Sequence, residues 1–233
     1  MKLLRACLVA GILTLVLSVA ACAGVPGTTG ANFLKIGPGA KAAAMGEAYT
    51  ALADDPTGLY WNPAGLAAME DAQLSATYNE WFADVYQGYI GLAYPSGGSC
   101  FAAGINYVDM GAMTRTDWRG DSDGTFGAQD THLSVGYATH MGEASTIGFT
   151  VGVVTDTIDG DAMSCIAGNL GWRYEGSEGV ALGDTFALGV AARNLGGSLG
   201  DNPLPVIMSV GAAMEGEKFI AALDFGFPSD NEA

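Results

Sequence analysis

The stretch Lys35–Met69, KIGPGAKAAAMGEAYTALADDPTGLYWNPAGLAAM, decides how the rest of the chain is read. It is too polar and too interrupted to span a membrane. Pro38, Pro56 and Pro63 divide it, because each proline removes a backbone donor and fixes φ. Ala40–Ala53 is rich in Ala, Met and Glu, which favour helix. Asp54-Asp55-Pro56 reads as a stop and restart, since Asp caps helices well and Pro is accommodated at the first helical position. Asn62-Pro63-Ala64-Gly65 is a turn signal. The stretch predicts a folded segment of short helices and turns, placed ahead of a long run of strands.

From Ala72 onward the pattern changes to period two, in segments of about ten residues, the length of a tilted membrane-crossing strand. Ten strands are expected, at roughly 72–82, 85–95, 99–109, 111–118, 129–140, 145–155, 163–174, 184–194, 205–214 and 217–226. In the fifth, Leu133, Val135 and Tyr137 oppose His132, Ser134, Gly136 and Ala138. In the sixth, Ile147, Phe149, Val151 and Val153 oppose Gly148, Thr150 and Gly152. The second face is thus mostly Gly, Ala and Ser, where a soluble sandwich would place charged or polar residues on its wet side. Small residues suit an interior crowded by something else. Formal charges gather in Thr116–Asp130 and Thr155–Asp161, expected as connections beyond an apolar band.

Composition agrees. The chain is 49% hydrophobic and only 15% charged, below the quarter or so typical of soluble domains, and 35 of its 233 residues are Gly. The formal charge of −16 excludes a nucleic-acid partner, which needs a basic patch. Residues 1–23 read as a signal peptide: Lys2 and Arg5 precede an apolar run over Ala6–Val19. Val19-Ala20-Ala21-Cys22 fits a lipoprotein box with Cys22 acylated, while Ala21-Cys22-Ala23 fits an ordinary cleavage site; both readings stand. Cys100 and Cys165 lie on distant strands and are expected as small apolar fillers.

The segment resembles the N-terminal region of the FadL-like outer-membrane barrels, and most closely the PorV/PorQ family. The resemblance rests on Gly37, Met45, Gly46, Glu47, Ala48, Tyr49, Asp54, Asp55, Trp61, Asn62, Pro63, Ala64 and Gly65, in an order kept over nearly the whole of Gly39–Leu66. It continues at Tyr107–Met113, Gly124-Thr125-Phe126, Asn194-Leu195-Gly196 and Leu204-Pro205. It implies an all-β, transmembrane, antiparallel up-and-down barrel, with residues 24–71 as a plug and 72–233 as the wall. Family barrels have about fourteen strands, so about ten would leave the wall open, with the edge at Phe219–Phe225 unpaired. The implied setting is the bacterial outer membrane, with its lipid as partner. The implied role is non-catalytic: transport of hydrophobic small molecules, or service beside secretion-system proteins of a type IX-like pathway. A soluble or lipid-anchored periplasmic binding protein is the alternative from another class, and a lipid A-modifying enzyme a third.

No cofactor or metal is expected. Asp117, Asp121 and Asp123 lack the spacing and terminal Glu of a calcium loop. His132 and His140 lie about 26 Å apart on an extended strand. The chain has no nucleophile elbow, zinc-helix motif or phosphate loop.

Overall fold

The computed structural model describes residues 27–176 and 185–230. The expected signal peptide and Cys22 lie outside the described residues. The period-two region folds into an antiparallel sheet built from β1 (Gln73–Glu80), β2 (Tyr86–Ser96), β3 (Ser99–Thr116), β4 (Ser122–His140), β5 (Ser145–Ile158), β6 (Asp161–Gly176) and β7 (Thr185–Gly196). A small hairpin of β8 (Ser198–Leu199) and β9 (Asn202–Pro203) precedes β10 (Ile207–Gly216) and β11 (Phe219–Pro228). The main sheet has nine strands in the order β1-β2-β3-β4-β5-β6-β7-β10-β11 and curls into a half-barrel. Every strand pairs antiparallel with its neighbour in that order.

Two expectations are corrected. The stretches 99–109 and 111–118 form one strand, not two, so the sheet has nine strands rather than ten. The register slips between Asp109 and Ala112, where Gly111 sits at φ 67. A left-handed glycine absorbs the extra residue as a bulge and lets pairing resume with Gly127. Pairing therefore runs on through most of the charged stretches 116–130 and 155–161, which are strand extensions rather than loops. The cause is that charged and polar side chains are compatible with strand wherever they face water. The hairpin β8–β9 was not expected; Gly196-Gly197 and Gly200 hid it among turn signals.

Alternation sorts the two faces as the pattern implies. Ile90, Ile105, Leu133, Val153 and Ile166 stand in register across five strands and point outward, as do Tyr94, Phe101, Tyr137, Phe149 and Leu170. Leu133 is 59% exposed, Ile166 64% and Phe149 49%. Phe101, Tyr137 and Phe149 pack ring against ring, with centroids 5.1 and 5.9 Å apart. Beyond the isoleucine row the outward residues turn polar, Thr131, Thr155 and Ser164, and Thr155 and Ser164 share a hydrogen bond of 2.9 Å. The opposite face carries Gly91, Gly104, Ser134, Gly152 and Ala167 in register.

The N-terminal segment lies on that small-residue face. It comprises helical turns at Asn32–Lys35, α1 (Ala40–Ala44), α2 (Gly58–Trp61) and a turn at Pro63–Ala68. No helix among the described residues is long and apolar enough to cross a membrane, which says nothing of strands.

Candidate functional site

The inner face works as a seat for the N-terminal segment, and Asn62 is its centre. Asn62 caps the turn Pro63–Ala68 by accepting from Ala64 N at 3.1 Å, with Pro63 at the first position. Its amide nitrogen donates to Thr50 O at 2.7 Å and to Trp172 O of β6 at 3.2 Å. One fully buried side chain thus ties two parts of the segment to the wall. Pro63 and Ala64 come so close that β5 and β6 must offer glycine. A Cβ on Gly148 would fall 2.4 Å from the Pro63 carbonyl carbon, and one on Gly171 would fall 2.0 Å from Asn62 Oδ1.

Other inner-face polar groups repeat the arrangement. Asn169 Nδ2 donates to Leu59 O at 2.9 Å, while its Oδ1 accepts from Asn194 N at 2.8 Å. Arg173 Nε donates to Ala51 O at 2.7 Å. Asp224 of β11 accepts from Tyr49 N and Thr50 N at 3.0 and 2.8 Å. Tyr89 Oη donates to Pro56 O at 2.7 Å. The partners within the N-terminal segment are backbone carbonyls and amides of loops and of one short helical turn, which would otherwise be buried unsatisfied at about 1–3 kcal/mol each. Wall and segment therefore complete each other's hydrogen bonding.

The remaining residues of the sequence motif take distinct places. Gly37 lies under the Trp61 ring, 2.1 Å from where its Cβ would be, and Trp61 Nε1 donates to Pro38 O at 2.9 Å. Met45 packs half-buried on the cluster of Tyr49, Leu52 and Trp61. Gly46 holds φ +64 with open space around it. Asp54 pairs with Lys41 at 2.7 Å, and Tyr49 Oη donates to both Asp54 and Asp55. Burial, then the two carboxylates, push the Tyr49 hydroxyl well above its ordinary pKa, so it remains a donor. Asp55 also caps Thr57 N at 2.7 Å. Gly65 abuts the Ala53 carbonyl, whose oxygen would be 1.9 Å from a Cβ. The motif is thus brought together as an architecture; its polar groups are spent on the segment's own backbone and on the wall.

Cavities flank the seat. One of about 480 Å³ lies beside Met69 and Glu70, lined by His140, Glu143, Arg173 and Glu175. A second, of about 210 Å³, is lined by Glu47, Thr50, Trp61, Arg193, Ser209 and Asp224. Arg193 is buried, with its guanidinium over Tyr60 and Trp61 at 4.9 and 5.2 Å and Nη2 on Ser209 Oγ at 3.2 Å. Its Nε and Nη1, and Asp224 Oδ1, have no hydrogen-bond partner. Alternation sets Arg193 and Asp224 on the face opposite the large apolar residues but assigns neither a role. A charge at an inward position among small residues was the available signal. No group of three or more potential metal ligands occurs among the described residues. Cys100 and Cys165 are free thiols.

A last anchor joins the segment to the end of the sheet. Asp230, beyond β11, accepts from Thr29 Oγ1 at 2.6 Å and pairs with Lys35. Burial works against the charged carboxylate, but Lys35 and Thr29 together outweigh it and hold the pKa below the ordinary value. A depressed carboxylate contributes stability that is present above the unfolded pKa, about 4, and is lost as pH falls through the folded value. Asp230→Asn should therefore lower neutral-pH stability by about 1 kcal/mol, since Lys35 is partly solvated. The deficit relative to the parent should shrink as pH falls below the ordinary carboxylate range and through the depressed folded value, read from denaturation midpoints in detergent. A deficit that is equal at neutral and acidic pH would remove the ion pair from this account.

No protein-family model matches the chain, and no curated protein matches it.

Proposed function

We propose that the chain forms the wall and plug of an outer-membrane β-barrel of the PorV/PorQ type, in a non-catalytic role. The observation that carries this reading is the inversion of the sheet's two faces. Large apolar and aromatic side chains point away from the chain's own contacts, in register, over about 20 Å of strand. The buried face is small and is filled by the N-terminal segment. A water-soluble sheet has no use for such an outer face, whereas lipid requires it. Residues 1–23 then serve as the export signal, and outer-membrane lipid is the first partner.

Between the two roles the resemblance implies, a stationary plug in protein secretion fits better than passage of hydrophobic compounds. At least five side chains bind the segment to the wall, and the cavities of about 480 and 210 Å³ beside it carry charged groups in their linings. A segment that must swing aside would be held by fewer buried bonds.

The test is fractionation of the native protein. It should enter outer-membrane extracts and migrate differently before and after boiling. Release by osmotic shock, in the soluble periplasmic fraction, would return the reading to a periplasmic binding protein.

A further inference from the structure

The cavity of about 210 Å³ lies between wall and segment, with Arg193 of β7, Ser209 of β10 and Asp224 of β11 on one side and Thr50 and Trp61 on the other. It is much larger than the share of one water molecule, about 30 Å³. Arg193 is 7% exposed, yet no carboxylate among the described residues pairs with it. Its guanidinium lies over the Tyr60 and Trp61 rings, and Nη2 donates to Ser209 Oγ, but Nε and Nη1 have no acceptor. Ring faces attract the cation without neutralising it. Asp224 spends Oδ2 on Tyr49 N and Thr50 N and leaves Oδ1 without a donor. A buried cation and a half-buried carboxylate thus border one space without pairing with each other, and a buried charge without a partner is costly.

Those charges select the occupant. A plain anion would suit Arg193 but meet the carboxylates of Asp224 and Glu47, which also line the cavity, and a plain cation would meet Arg193. Water can bond to both groups but neutralises neither. A ligand carrying both charges answers each of them. Spacing sets its size. Ser209 is in register with Gly226, and Gly211 with Asp224, so Ser209 and Asp224 are diagonal neighbours on the inner face, about 7–8 Å apart. Two side chains reach into that span, so the gap suits charged groups borne on one carbon atom rather than at the ends of a long chain. Ala48 and Trp61 add apolar surface for a small side chain. We infer that this cavity binds a small α-amino acid as a zwitterion, its carboxylate accepting from Arg193 and Ser209 and its ammonium donating to Asp224. Such binding holds whether or not the outer face meets lipid, so fractionation and ligand binding fail separately.

Saturation-transfer NMR on the full chain in detergent tests this, with L-alanine as the probe. Binding should saturate, with a dissociation constant of about 1 mM for so few atoms. Propionate lacks the ammonium and ethylamine lacks the carboxylate, so each should displace alanine at least tenfold less well than unlabelled alanine displaces its labelled form. Gly226→Leu is the blocking variant. A Cβ at Gly226 meets nothing within 4 Å, so the new side chain enters the cavity without displacing a neighbour. This variant should keep the parent's denaturation midpoint and weaken alanine binding at least tenfold, and Arg193→Met should weaken it as much. No saturable binding of alanine, displacement by propionate or ethylamine as effective as by alanine, or parent-like binding by Gly226→Leu would each overturn the inference.

Discussion

Replacing Asn62 by leucine should detach the N-terminal segment from the wall while leaving the sheet formed. Leucine matches asparagine in size but forfeits all three hydrogen bonds, to Ala64 N, Thr50 O and Trp172 O. The helix-cap loss alone is worth about 1 kcal/mol. Leaving the other two carbonyls short of a donor in a buried site adds a comparable amount each, for about 3 kcal/mol in all. Asn62→Asp restores the cap acceptor but not the two donated bonds, and it buries a charge, so it should be no better. The readout is protease cleavage within 27–72 and permeability to bulky dyes, both of which should rise in correctly inserted protein. Parent-like resistance and permeability in both variants would show that the seat does not hold the segment.

That result would also bear on the choice of role. If dye entry stays low even when the segment is cut, something other than this segment blocks the lumen. If entry rises, the segment is the barrier, and its many buried bonds make it a fixed one.

Much of this architecture is legible in residue order, for reasons that differ by element. The faces of β4 and β5 follow from strict alternation, which a pleated strand converts directly into inside and outside. Leu133 and Val135 against Ser134 and Gly136 leave no other register. The Asn62-Pro63 turn is equally plain, because a cap acceptor followed by proline has one common use. By contrast, residue order divides β3 in two, because a bulge at Gly111 looks like a turn when its cross-strand partner is unknown. Residue order also hides the extensions of β3 to β6, because charged residues mark water rather than loops. The roles of Arg173, Arg193 and Asp224 depend on which backbone carbonyls and amides the segment presents. That is set by long-range packing, and no local pattern records it.

A charge on the outer face should distinguish lipid from water more sharply than any change inside. Leu133 and Val135 lie on β4 between the aromatic row of Phe101, Tyr137 and Phe149 and the polar row of Thr131, Thr155 and Ser164. Both are more than half exposed and fill no core. In water, Leu133→Arg or Val135→Arg would be nearly neutral, because an exposed leucine loses little when replaced and surface changes fall within about 0.5 kcal/mol. In a bilayer, an arginine near the midplane of a barrel strand costs about 2–4 kcal/mol, declining towards the interfaces. Thr125→Arg supplies the comparison: Thr125 is exposed on the same strand but lies well beyond the apolar rows, so it should cost about 1 kcal/mol or less. The measurement is the fraction of protein that acquires heat-modifiable, protease-resistant form in lipid vesicles. Leu133→Arg and Val135→Arg should lower it several-fold and Thr125→Arg should not. Equal recovery of all three would mean that the apolar face never meets lipid, and the membrane reading would fall with it.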